Sequence, residues 1–180
     1  MKIAPVAAAA SLALISLFSQ RTARSQAEAP LFDAIVGVLQ SPRCMNCHPS
    51  GDAPLQTDAS RPHKQNIQRA FVDLGGSCQT CHQDAEMPGD HMPPGALHWN
   101  LPPPTMAFQG KTPAALCADL QDETKNGGRS LDALVHHVST DPLVLWGFDP
   151  GPNRTPPPMT HAAFVALMTD WVAEGAPCPN

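Results

Sequence analysis

Four of the six cysteines sit in two copies of one five-residue pattern, Cys44-Met45-Asn46-Cys47-His48 and Cys78-Gln79-Thr80-Cys81-His82. Two thiols separated by two residues, with a histidine directly after the second, form the attachment pattern for c-type haem. Each thiol adds across one vinyl group of the porphyrin, and the imidazole that follows falls beneath the ring as the proximal iron ligand. The pattern assigns Cys44, Cys47, Cys78 and Cys81 to covalent attachment of two c-type haems, and His48 and His82 to their irons. Two such cysteine pairs also make a zinc-ribbon pattern, but a four-cysteine zinc site leaves both trailing histidines unexplained.

The remaining composition makes a large apolar cofactor a structural need. The 180 residues include 21 prolines, six phenylalanines, three tryptophans and no tyrosine. A chain so poor in bulky side chains buries little apolar area by itself. Two porphyrins would supply flat apolar bodies around which short helices pack, so the chain without them is expected to be largely unfolded.

The N-terminus reads as an export signal. Met1-Lys2 is a short positive start, Ile3 to Phe18 is almost uninterruptedly apolar, and Ser25-Gln26-Ala27 offers small residues where a signal peptidase reads. Residues 1–27 are expected to be removed after Ala27, leaving 28–180 as one domain in the periplasm. A retained anchor is the alternative, although an apolar run of about 16 residues is short for a span that needs about 20. Cleavage removes three bases and no acid, which turns the net charge of −5 into −8. Nucleic acid is an unsuitable partner for such a chain, and a protein with a basic rim is a suitable one.

Short helices alternate with irregular chain. Leu31 to Gln40 carries an apolar stripe at Leu31, Ile35 and Leu39, and Pro42 closes it. Residues 49–62 are a turn-rich polar loop. Helix resumes around Lys64, with Ile67, Ala70, Phe71 and Leu74 on one side, and ends at Gly75-Gly76. The front half therefore repeats helix then pentapeptide, imperfectly, with its patterns at 44–48 and 78–82. Residues 87–105 are too proline-rich for regular structure and should wrap a surface in extended form. The back half, 111–180, reads as three helices. Thr112-Pro113 opens the first; Ser130 caps the second, which Asp141-Pro142 ends; Thr160 opens a third that stops at Gly175. A second extended stretch, 146–158, lies between the last two. The class is all-α with extensive irregular proline-rich chain.

Cys117 and Cys178 remain, and in an oxidising compartment an even leftover pair is expected to form a disulfide. The sixth iron ligands decide between electron transfer and small-molecule chemistry. The nitrogen candidates are His63, His91, His98, His136, His137 and His161; the sulfur candidates are Met87, Met92, Met106 and Met159. His63 ends a loop that can fold over the first haem. Met106, then Met92, sit in proline-stiffened chain suited to the second, with His137 the nitrogen alternative. A His/His first centre and a His/Met second would make an internal downhill step, because a thioether raises the potential.

The chain resembles the dihaem c-type cytochromes, and more closely a group of small exported bacterial ones. The likeness rests on Cys44-x-x-Cys47-His48-Pro49-x-Gly51-Asp52, Pro62-His63, Gly95-Ala96-x-x-Trp99-x-Leu101-x-Pro103, Gly110-Lys111-Thr112-Pro113, Asn126-Gly127-Gly128-Arg129-Ser130-Leu131 and Asp141-Pro142-Leu143-Val144-x-Trp146-Gly147. It implies a cytochrome c-like set of short helices around two haems. It also implies redox partner proteins, for some members a molybdenum hydroxylase of the isoquinoline oxidoreductase type. The expected function is electron transfer between a dehydrogenase or other oxidoreductase and the respiratory chain, without catalysis of its own. The alternative is a haem enzyme with an open iron acting on peroxide or a nitrogen oxide, using Asp90, His91 and His98 as distal acid/base groups. It resembles the larger dihaem peroxidases only in its two pentapeptides.

Overall fold

The computed structural model describes residues 31–89 and 92–180. The signal segment with its cleavage point after Ala27, and the pair Asp90 and His91, lie outside the described residues. Helix dominates. Helix α1 spans residues 31–39, followed by α2 (Pro42–Met45), α3 (Arg69–Asp73), α4 (Pro113–Gln121), α5 (Leu131–Thr140), α6 (Pro142–Phe148) and α7 (His161–Ala173). Among the described residues no helix is long and apolar enough to cross a membrane.

The core belongs to α1 and the back half. Phe32, Ile35, Val38 and Leu39 of α1 meet Leu116 and Leu120 of α4, Leu134 and Val138 of α5, and Phe164, Met168 and Trp171 of α7, all buried. Each such side chain contributes about 1.5–3 kcal/mol by leaving water. Trp171 is fully enclosed; its ring lies 5.3 Å from that of Phe32, and its indole N–H donates to the Pro177 carbonyl at 3.0 Å. That bond and the Cys117–Cys178 disulfide hold the C-terminal tail on the core.

The helix starts follow the capping residues. The hydroxyls of Thr112, Ser130 and Thr160 accept from the amides of Ala115, Ala133 and Ala163, so α4, α5 and α7 begin where the sequence places them. The expected terminator Asp141-Pro142 does more than end α5. The Asp141 carboxylate accepts from the amides of Leu143 and Val144, and Pro142 occupies the first turn of a fourth, unforeseen back-half helix, α6, whose end takes in residues 146–148 of the stretch expected to be extended. Pro42 likewise opens α2 rather than merely closing α1.

The front half is thinner than its sequence pattern predicts. Helix α3 is five residues long and starts later than Lys64, because Asn66 takes a left-handed φ of 53°. Its apolar residues miss the core: Leu74 is 88% exposed and Phe71 turns toward the second pentapeptide. The Phe71 ring lies where a side chain on residue 76 would stand, so Gly76 lets the ring pack in that position. Within the polar loop, Leu55–Gln56 (β1) and Arg61–Pro62 (β2) pair antiparallel, with Leu55 opposite Pro62. Thr57 and Ser60, both at positive φ, turn the chain between them.

Candidate cofactor-binding site

Both pentapeptides wind into a single tight turn that brings the histidine back over the first cysteine. The amide of His48 donates to the carbonyl of Cys44 at 3.2 Å, and that of His82 to the carbonyl of Cys78 at 2.9 Å. The first turn grows out of α2, and the second is a 3-10 turn, Cys78–Thr80, capped by the Ser77 hydroxyl. All four thiols are free.

The two histidines are then held in the same way by unrelated pieces of chain. His48 Nδ1 lies 2.6 Å from the Met106 carbonyl, and His82 Nδ1 lies 2.8 Å from the Pro94 carbonyl. A carbonyl only accepts, so in both rings Nδ1 carries the proton and Nε2 keeps its lone pair. Each ring is also stacked on an aromatic face: His48 on Phe108 with centres 3.8 Å apart and planes 4° apart, His82 on Trp99 at 4.3 Å and 6°. A donor bond at one nitrogen and a packed face fix an imidazole as a ligand at the other nitrogen. Burial lowers the pKa of both, to about 4 for His48, so both are neutral at physiological pH. The chain of 92–108 supplies both carbonyls and both aromatic faces; Pro94 and Trp99 belong to the 87–105 segment expected to wrap a surface, while Met106 and Phe108 lie just beyond it.

A cavity of about 1390 Å³ lies between the pentapeptides, larger than the about 300–1,000 Å³ of most small-molecule sites. Cys47 borders it from one side, and Cys78, Cys81 and His82 from the other; Ile67, Phe71 and Leu101 add apolar wall. Burial pushes the Cys44 thiol up to about 12 and the Cys47 thiol up to about 11, and raises that of Cys78. Among the described residues no three His, Cys, Asp or Glu gather closely enough to hold a metal ion. His82 with Cys78 and Cys81 lines this wide, partly apolar cavity and Cys47 borders it from the other side, while His48 and Cys44 lie outside its lining. The His82 side fits a flat macrocycle that brings its own equatorial nitrogens.

No family model matches this chain, and neither does any curated protein or any solved structure.

The residues expected as sixth ligands are redistributed by the fold. His63, expected over the first centre, instead faces the second: its ring centre is 6.2 Å from that of His82. The hairpin explains this, since the β1–β2 pairing and the bond from the His63 amide to the Pro54 carbonyl at 3.0 Å turn the residue into the cavity. Met106, expected at the second centre, serves the first through its carbonyl, and its sulfur packs on Gly127. Met92 does border the cavity beside His82, lying over Gly89. His137, the nitrogen alternative for the second centre, stands close enough to His48 for their charges to interact, with its Nδ1 3.4 Å from Asp141. Of the other histidines, His161 donates to the Val138 carbonyl and His136 lies beside Thr140, while His98 is exposed at a φ of 63°. Met87 borders the cavity, and Met159 packs against the core.

Two features were not foreseen. Arg43 is buried at the cavity edge, with Nη2 2.7 Å from Asp58. The stacking partners Phe108 and Trp99, and the two carbonyl acceptors, also had no role assigned. Trp99 stood in the sequence as an aromatic amid prolines, but a backbone carbonyl leaves no sequence signal.

Proposed function

We propose that this chain is an exported c-type cytochrome that holds two covalent haems and passes single electrons between an oxidoreductase and the respiratory chain. The observation that carries the proposal is the matched setting of His48 and His82. Each donates Nδ1–H to a carbonyl of the 92–108 segment, each is stacked on an aromatic ring, and each follows a tight turn bearing two thiols. Unrelated side chains converging twice on one arrangement support one cofactor chemistry at both places.

The chain's own residues supply attachment, orientation and enclosure. Cys44 and Cys47 would hold one group, Cys78 and Cys81 the other, with His48 and His82 as proximal ligands. Haem iron, when bound, supplies one-electron chemistry. Cys47 and Cys78 border one cavity and lie close enough for their charges to interact, which supports two groups near one another within the molecule. The acidic mature chain would steer a redox partner with a basic rim, a molybdenum hydroxylase being the partner class the family likeness implies.

Intact mass spectrometry of the exported protein tests the reading. Two haem masses on the polypeptide, together with a reduced-minus-oxidised c-type spectrum, are expected. A mass equal to that of the bare polypeptide, or one carrying zinc, ends it.

A further inference from the structure

We propose that His63 and His82 are the two axial ligands of one iron, so that the second centre is closed by two imidazoles. This rests on the two-haem reading and adds the sixth ligand of one site.

The first observation is spacing. An iron about 2.0 Å from one nitrogen of each imidazole, with each ring centre about 1.1 Å further on, sets the ring centres about 6.2 Å apart. The His63 and His82 centres are 6.2 Å apart, with planes at 63°. Face-to-face stacking brings rings closer, as His82 and Trp99 do at 4.3 Å, whereas an edge-to-face pair spans about 4.5–7 Å. The spacing admits an iron, and the unpartnered nitrogen of His63 carries the choice. The second observation is an orphan. His63 Nδ1 is buried and has no hydrogen-bond partner, an unfavourable arrangement unless another group uses the nitrogen. The third is the company the pair keeps. Both rings border the cavity that Cys78 and Cys81 border, and no third ligand joins them among the described residues. A metal held by two protein nitrogens alone needs its remaining ligands from elsewhere, and a porphyrin brings four.

Backbone bonds make the pair rigid. His63 is held through its own amide to Pro54 and through its carbonyl, which accepts from Asn66 at 3.0 Å; His82 is held by Pro94 and Trp99. The Met92 side chain borders the same cavity but rests on Gly89. Two imidazoles in place of imidazole and thioether put the second centre at a lower potential than the imidazole–thioether pair read from the sequence would give it.

The test uses the exported holoprotein with His63→Ala and His63→Met. Both variants are expected to keep two haem masses. In His63→Ala one haem of the two is expected to turn high-spin and, when reduced, to gain carbon monoxide binding that added imidazole reverses. In His63→Met the potential of one centre is expected to rise while it stays low-spin. Near-infrared magnetic circular dichroism of the unaltered protein must show bis-imidazole ligation in at least one ferric haem; its absence overturns the proposal without any variant. Two attached haems with spectra and carbon monoxide binding unchanged in His63→Ala overturn the ligand assignment and leave the cytochrome reading standing. Missing haem masses in the unaltered protein overturn both.

Discussion

Arg43 shows how single side chains stitch the irregular front half to the back. Its side chain is 4% exposed, and its charge is answered by Asp58 at 2.7 Å, while Nε finds no partner. The other Asp58 oxygen accepts from the Thr155 hydroxyl at 2.6 Å and from its amide at 3.1 Å, which ties the 49–62 loop to the stretch before α7. Those Thr155 bonds, with help from Arg43 and Arg154, hold the Asp58 carboxyl below its ordinary range. A carboxyl lowered on folding adds stability above its unfolded pKa of about 3.9, and that stability is lost as pH falls through the folded value. Asp58→Asn is therefore expected to cost about 1 kcal/mol near neutral pH, solvent screening limiting the effect at this exposed carboxylate, and the gap from the parent should close as pH falls below about 4 in urea melts. This contact was hidden in the sequence because its partners are 15 and 97 positions apart and nothing in their spacing marks a pair. The pentapeptides were legible because their chemistry is packed into five consecutive residues. The reassignment of His63 was not, since it depends on a hairpin of two-residue strands, too short for any alternation to register.

At the level of elements, cap chemistry was the most readable signal, and also the source of one error. A hydroxyl or carboxylate placed to cap marks a start wherever it stands, more so when proline follows as it does Thr112, and Thr112, Ser130 and Thr160 each open the helix they announce. Asp141-Pro142 was read as a stop because it follows a helix, although the same two residues satisfy the start rule. Asp141→Ala removes acceptors for two α6 amides and is expected to cost about 1 kcal/mol, measured as a shift in the denaturation midpoint. Asp141→Ser should recover most of it. The periodic pattern after Lys64 overpredicted α3 because apolar spacing alone does not tell a core face from a cavity wall.

On the scale of the whole molecule, two kinds of stability sit side by side. The back half and α1 enclose their own core, pinned by a disulfide spanning 61 positions, whose removal in Cys117→Ser/Cys178→Ser is expected to cost about 4 kcal/mol in chain entropy, read from urea melts. Residues 50–106 hold few buried side chains and lean on the cavity they surround. The expectation of an unfolded chain without haem thus narrows to this region. With all four pentapeptide cysteines changed to alanine, hydrogen exchange should find α4, α5 and α7 still protected and 50–106 fast. Protection lost throughout would mean that the helical core needs the cofactor too.

The two pentapeptides are seated unequally: Cys44 packs against the helical core, while Cys81 is exposed and none of residues 78–82 is buried. Maturation therefore acquires an order, on the two-haem reading. Cys44 must meet its vinyl group before the helical core packs against it, whereas the outer pair stays within reach of an attaching enzyme after folding. Cells starved of haem should accumulate a half-loaded species whose single haem peptide, after proteolysis, contains Cys44 and Cys47.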